Sequence, residues 1–259
     1  MQEKKLIFST GISLGSYRSM LDRIFSLAEA RRSSYVCTVN VHMLTEAARD
    51  KDFEAVVNNA DLATADGVPV AKVLKWLYGI KQERVAGMDL LPDLLRESER
   101  KKLPVFFFGS TPGVLAQISQ RVRKELPLLS FATLSPPFRE FTDAENNAWR
   151  KQIDDFSAAI VFVGLGCPRQ EKWMAAMKGK INAVMIGVGG AFPVYAGLQK
   201  RAPYWMQRLS LEWLFRFGQD PRRLWKRYFS TNLYFISRLA LFKLHAGKKM
   251  IVPDNAKTT

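Results

Sequence analysis

The chain has 259 residues, 47% of them hydrophobic, and a formal net charge of +15. That length and composition suit one large α/β domain, or a domain with an appendage, and exclude a disordered protein. Its two cysteines, Cys37 and Cys167, lie far apart with no CxxC or Cys/His ligand spacing, so neither a disulfide framework nor a zinc site is indicated and a reducing cytoplasm fits.

The basic start is followed by a short, Gly/Ser-rich and weakly apolar stretch with no small-residue cleavage site, which predicts a first strand or hairpin instead of a signal peptide. Apolar runs predict strands at Tyr35–Asn40, Val105–Gly109, Leu129–Thr133, Ala159–Gly164 and Ala183–Val188. Helical periodicity fills the gaps at 17–31, 42–58, 69–78, 88–100, 112–125, 143–155 and 168–178. The alternation predicts an α/β domain over residues 1–196, a Rossmann-like, mostly parallel sheet flanked by helices. The longest uncharged run, between Lys180 and Lys200, contains Asn182, Pro193 and several glycines, so a buried strand and loop explain it better than a spanning helix.

After Gly197 the character changes to a basic, aromatic, helical appendage over 197–259. Between Lys200 and Lys249, twelve Lys or Arg face only Glu212 and Asp220, which puts +10 of the +15 in about a fifth of the chain. Pro221–Lys243 places Trp225, Tyr228, Phe229, Phe235, Ile236, Leu239 and Phe242 at three- and four-residue steps, the pattern of one amphipathic helix. Such a segment attracts a polyanion, and both an anionic membrane surface and a nucleic acid fit. The apolar stripe could instead pack on the α/β domain, but the size of the charge excess favours the membrane surface.

Four constellations fall at predicted strand ends, where open parallel sheets bind ligands. Thr38-Val39-Asn40 closes one strand, and Asp66-Gly67 follows the run Ala60 to Ala65. Asp66 reads as a turn former before Gly67 or as a carboxylate placed to deprotonate a hydroxyl; Thr38 and Asn40 read as turn and capping residues or as ligand contacts. Phe106-Phe107-Phe108-Gly109-Ser110-Thr111-Pro112-Gly113 runs from a buried strand into a helix whose N-terminal amides suit a diphosphate. Gly164-Leu165-Gly166-Cys167-Pro168-Arg169-Gln170-Glu171 and Ile186-Gly187-Val188-Gly189-Gly190 repeat the strand-to-glycine-turn pattern, with Gln170 and Glu171 in a first helical turn. Glu171 serves there either the cleft or the helix dipole. Neither a full GxGxxG nor a Walker A sequence is present, which counts against a nicotinamide-dependent oxidoreductase. His42 reads as a substrate contact or as a structural residue near a helix start.

Thr38-Val39-Asn40, Ala65-Asp66-Gly67, Arg84-Val85-Ala86-Gly87-Met88-Asp89, the block from Gly164 to Trp173, the block from Ile186 to Phe192, the stretch from Ala196-Gly197 to Arg201-Ala202-Pro203, and Leu211-Glu212-Trp213-Leu214-Phe215-Arg216 through Asp220-Pro221-Arg222-Arg223 resemble in order the signature of the WecG/TagA/CpsF glycosyltransferases (glycosyltransferase family 26) from about residue 35 to about residue 229. The resemblance implies an inverting, metal-independent transferase without a cofactor, acting at the cytoplasmic face of a bacterial membrane. It would move a sugar from a UDP-sugar (UDP-glucose, UDP-ManNAc or UDP-ManNAcA) to an undecaprenyl-diphosphate-linked saccharide in surface polysaccharide assembly. It casts Asp66 as the base, with Thr38, Asn40, Arg84 and Gln170 in the substrate pocket. Arg216, Arg222 and Arg223 would close over the donor and neutralise the leaving diphosphate, a task suited to paired guanidinium donors. Independently of the family, the glycine turns at strand ends, through Gly109, Ser110, Gly164, Gly166, Gly189 and Gly190, together outline a nucleotide cleft. Ala65, Ala86 and Arg169 stand where proline, proline and lysine are common in the family, departures that bear on donor identity. A nucleic-acid-binding protein is the alternative, and an enzyme of this family has no need of a nucleic-acid partner.

Overall fold

A computed structural model describes residues 3–209, 211–219, 221–222 and 231–242, excluding the side chains of Arg208 and Arg216. The chain opens with an antiparallel hairpin, β1 (Lys4–Ile7) and β2 (Thr10–Ser13), and then helix α1 (Tyr17–Glu29). Next come β3 (Ser34–Val39), α2 (Val41–Arg49), α3 (Lys51–Asn58), β4 (Leu62–Ala65), α4 (Val68–Tyr78) and α5 (Gly87–Arg100). They are followed by β5 (Val105–Gly109), α6 (Pro112–Glu125), β6 (Phe131–Leu134), α7 (Asp143–Asp155), β7 (Ile160–Gly164), α8 (Arg169–Met177) and β8 (Val184–Gly187). Short helices α9 (Phe192–Tyr195), α10 (Tyr204–Arg208) and α11 (Glu212–Gln219) follow, and residues 231–242 form α12.

Six strands make one parallel sheet in the order β4-β3-β8-β7-β5-β6. Side chains alternate between its faces, so each face builds its own core. One core joins Tyr35, Cys37, Phe106, Phe108 and Met185 to the hairpin, α2, α3, α4, α7 and α8; the other joins Val36, Phe107, Phe162 and Ile186 to α1, α5, α6 and α9. Phe108 stacks on Trp173 with ring centroids 4.3 Å apart, and Phe107 stacks on Phe162 at 5.7 Å. Each such buried ring contributes roughly 1.5–3 kcal/mol through lost water contact.

Two local outcomes differ from the sequence expectation. The predicted helix over 42–58 is two helices, because Asp50 leaves helical geometry and its carboxylate accepts from the N–H groups of Asp52 and Phe53, capping α3. β4 was not among the predicted strands: its sequence, Leu-Ala-Thr-Ala, lacks the β-branched and aromatic density of its neighbours. It is strand by pairing, in register Val36↔Leu62 through Val39↔Ala65, and the hairpin lies alongside, with Ser13 Oγ accepting from the Ala63 N–H at 3.0 Å.

Of the helix expected over 221–243, residues 223–230 lie outside the described set, and 231–242 are helical. α12 buries Thr231 and Phe235 and packs on the hairpin, Phe8 meeting Phe235 at 5.6 Å and Phe242 at 6.1 Å, with the Arg49 guanidinium over the Tyr234 ring. Leu233, Ile236 and Leu241 on the same helix are exposed. Among the described residues no helix is long and apolar enough to cross a membrane.

Candidate active site

Adjacent strands β5 and β7 lead into helices on opposite faces of the sheet, α6 with one core and α8 with the other. Adjacent β3 and β8 diverge in the same way, through α2 and α9. Such divergence opens a crevice beyond the carboxyl ends of the strands. Along that edge stand, in sheet order, Asp66 after β4, Thr38 and Asn40 at β3, Gly189 and Gly190 after β8, Gly164 and Gly166 at β7, and Gly109 and Ser110 at β5. One edge therefore gathers residues that lie up to 152 positions apart in the chain.

Parallel pairing ties Asp66 to β3: its N–H donates to Val39 O at 2.9 Å and to Thr64 O at 3.0 Å. Gly67 follows with φ +97°, a left-handed-side conformation that glycine reaches without a Cβ penalty, and α4 starts one residue later. Thr38 is buried and donates from Oγ1 to Gly187 O at 2.8 Å, fastening β3 to β8. Asn40 caps α2, its Oδ1 accepting from the Met43 N–H at 3.1 Å. His42 Nδ1 lies 3.7 Å from Glu46 Oε1, one helical turn on.

The glycine turns are joined to one another. Ser110 adopts φ +63° and donates its N–H to Gly164 O at 2.9 Å, and a Cβ on Gly109 would stand 2.6 Å from the Gly164 backbone. A Cβ on Gly164 would stand 2.7 Å from the Phe192 ring. The N–H groups of Gly166 and Gly189 both point to Gln170 Oε1, at 3.3 and 3.2 Å. The amides of Ser110, Gly166 and Gly189 are thus engaged inside the protein, whereas the sequence alone reads such turns as amide cradles. Gly166, with φ +82°, has open space where a Cβ would be, and Gly190 is exposed.

Gln170 itself is only 5% exposed, and beneath it Glu171 is fully buried. Gln170 Nε2 donates to Glu171 Oε1 at 2.6 Å, the Cys167 thiol faces the same carboxyl, and Glu171 Oε2 makes no hydrogen bond to nitrogen or oxygen among the described residues. Burial lifts the Glu171 carboxyl to about 7, and it lifts the thiols of neighbouring Cys167 and Cys37, on the preceding loop and on β3. The Cys167–Pro168 peptide at the head of α8 is cis.

Arg84 borders the Asp66 turn. The segment around it is laid along β4, with Val85 N–H donating to Ala65 O at 2.9 Å and Thr64 Oγ1 donating to Val85 O at 3.0 Å. Its guanidinium pairs with Asp89 at 2.5 Å and reaches Gln207 on α10 and Glu212 on α11, each at 3.4 Å. Arg201 takes the other oxygen of Asp89 at 2.5 Å. Arg84, Asp89, Arg201 and Glu212 all stand in the signature blocks, but their pairing emerges only from packing, and it fastens the short C-terminal helices beside the sheet edge. Arg222 is exposed; Arg223 and the side chain of Arg216 lie outside the described residues.

The model of the glycosyl transferase WecG/TagA/CpsF family matches residues 6–249. Relatives named N-acetylglucosaminyldiphosphoundecaprenol N-acetyl-beta-D-mannosaminyltransferase are 32% identical in Bacillus subtilis (strain 168), covering 86% of this chain and 84% of the relative. The one from Staphylococcus aureus (strain MW2) is 29% identical over 78% of each chain. A family match spanning nearly the whole chain, on a sheet whose carboxyl edge gathers the signature blocks, makes this protein a glycosyltransferase of the WecG/TagA/CpsF family.

Proposed function

We propose that the chain transfers a hexosyl group, with inversion and without a metal ion or other cofactor, from a UDP-sugar to a saccharide carried on undecaprenyl diphosphate. The observation that carries this reading is the placement of Asp66 at the carboxyl edge of the sheet, its N–H tied to Val39 one residue from Asn40. An acceptor hydroxyl held there attacks the anomeric carbon from the side opposite the diphosphate. Its proton passes to the Asp66 carboxylate as the bond to the diphosphate oxygen breaks, and UDP leaves with the electron pair. Thr38, Asn40, Arg84 and Gln170 shape the pocket. Arg216, Arg222 and Arg223 neutralise the departing diphosphate, for which guanidinium forks are suited.

The names of the relatives favour UDP-N-acetylmannosamine as donor and N-acetylglucosaminyl-diphospho-undecaprenol as acceptor, with UDP-glucose and UDP-ManNAcA as the other donors to test. The protein would work peripherally at the cytoplasmic membrane face, held by the basic, aromatic appendage, where the acceptor lipid resides. The nucleic-acid reading of that appendage has no support from the family. The direct test is transfer from each UDP-sugar to a short-chain lipid-linked acceptor, by wild type and by Asp66→Asn. Transfer by wild type, with loss of at least a thousandfold in kcat and near-normal UDP binding in the variant, is expected. Near-normal turnover of Asp66→Asn eliminates Asp66 as the base.

A further inference from the structure

Gln170 Oε1 accepts from two backbone N–H groups that belong to different strand ends, Gly166 after β7 and Gly189 after β8. An amide side chain has one accepting end and one donating end, so its orientation here is dictated by its partners. Two N–H donors on one side require Oε1 there, and Nε2 then needs an acceptor on the other side. Glu171 Oε1 supplies it at 2.6 Å. Two further glycines are matched to this arrangement: a Cβ on Gly187 would lie 2.9 Å from Gln170 Nε2, and one on Gly189 would lie 2.7 Å from Gln170 Oε1.

The cost of keeping Glu171 is visible in its surroundings. The side chain is wholly buried beside Cys37 and Cys167, and the side-chain donors its carboxyl meets are Gln170 Nε2 and the weakly donating Cys167 thiol, an arrangement that stability alone disfavours. A buried polar contact of this kind fixes one orientation of its partner, since each alternative leaves a further polar atom unpaired.

We propose that Glu171 is a positioning residue: by accepting from Gln170 Nε2 it orients that amide so that Oε1 clasps the β7 and β8 turns together, setting the spacing of the turns on which the donor diphosphate rests. The last clause rests on the reading of this edge as the donor site; the clasp itself rests on geometry alone. A proton on Oε2 leaves Oε1 free to accept, so the clasp requires the acceptor oxygen and not the charge.

The test uses the full chain with UDP as the binding probe. Glu171→Met keeps the volume and removes the acceptor; Glu171→Gln keeps an oxygen at the same place. Glu171→Met is expected to raise the Kd for UDP and the KM for the donor about tenfold, to leave the acceptor KM unchanged, and to speed amide hydrogen exchange at Gly166 and Gly189 but not within β7 or β8. Glu171→Gln is expected to recover most of both effects. A folded Glu171→Met protein with unchanged donor KM and unchanged exchange at both glycines overturns the proposal, and so does a Glu171→Gln protein as impaired as Glu171→Met. If wild type binds no UDP, the donor-site reading fails while the exchange measurement still decides the clasp. Should Glu171→Met not fold, Gln170→Glu sets two carboxyls face to face. Protection of the two glycine amides, taken relative to the intrinsic base-catalysed rate at each pH, is then expected to be high at pH 5, where a shared proton bridges the pair, and to fall as pH rises; protection that does not change with pH overturns the contact.

Discussion

Arg84 and Glu212 meet at 3.4 Å across the seam between the α/β layer and the C-terminal helices. Asp89 holds the nearer side of the same seam by pairing with both Arg84 and Arg201. All four side chains are 20–30% exposed, so the pairs are neither fully screened nor fully desolvated. Asp89→Asn leaves two guanidinium groups facing each other without their shared counter-charge. We expect it to lower stability by about 2 kcal/mol, between surface and buried ion-pair values, and to increase proteolytic cleavage near residue 200. Glu212→Gln, which keeps an accepting oxygen, is expected to cost less. Denaturant melts and limited proteolysis of the two variants measure the difference, and equal effects would place the seam's strength elsewhere.

Much of this architecture was legible in sequence. Val, Ile and Phe runs located β3, β5, β7 and β8 because centrally placed parallel strands are buried on both faces. β4 escaped because its alanines carry a helical preference that pairing overrides. The break at Asp50 was hidden because apolar periodicity continues through it. Within the site, Thr38, Asn40 and Asp66 were individually ambiguous, and only the β3–β4 register brings them to one edge. The Gln170 clasp was illegible since it depends on which way an amide faces once α8 has packed. The glycines were noticed, but their crowding against Gln170, Phe192 and the Gly164 backbone is a property of packing that no local pattern encodes.

That crowding ranks the glycines. Gly189→Ala drives a Cβ to within 2.7 Å of Gln170 Oε1 and should disturb the clasp, whereas Gly166→Ala meets no atom within 4 Å and costs only its positive φ, about 1–2 kcal/mol. Gly109→Ala combines a positive φ with a 2.6 Å approach to backbone, which cannot move as a side chain can, and should fold worst. Melting temperatures are expected to fall in the order Gly166→Ala, Gly189→Ala, Gly109→Ala. The donor KM should rise more for Gly189→Ala than for Gly166→Ala. The reverse order in KM would show that Gly166, and not the clasp, governs donor binding.

Glu171 also predicts a pH dependence of stability. Burial raises its carboxyl from an ordinary 4.5 to about 7, so between those values the folded chain holds a proton that the unfolded chain has released. Stability therefore falls as pH rises from about 4.5 to about 7 and is level above, a total on the order of 3 kcal/mol. Glu171→Gln removes that slope, so the variant should gain on wild type as pH rises. Urea melts at pH 5, 6, 7 and 8 test this; parallel profiles for the two proteins would show that Glu171 does not titrate in this window.

The remaining prediction concerns the exposed apolar surface of the C-terminal helices. Tyr204 is 74% exposed, Trp205 58%, and Leu209 is exposed beside them, while Leu233, Ile236 and Leu241 face outward from α12. Deletion after Ala196 is expected to release the protein from anionic vesicles. It also bares Phe8, which α12 covers through Phe235 and Phe242, so lost activity in the truncated chain mixes anchoring with folding. Trp205→Ser combined with Leu209→Ser separates them, because both side chains are already exposed and their loss leaves the core intact. If these residues enter the headgroup boundary, the double variant should bind anionic vesicles at least tenfold more weakly. That corresponds to losing about 1.4 kcal/mol or more of the apolar burial two such side chains can supply. Added salt should weaken both proteins, since each basic residue near the surface contributes about 1 kcal/mol through screened attraction. Unchanged vesicle sedimentation of the double variant would exclude this surface as the anchor, and retention on RNA without retention on vesicles would transfer the basic segment to a nucleic-acid partner.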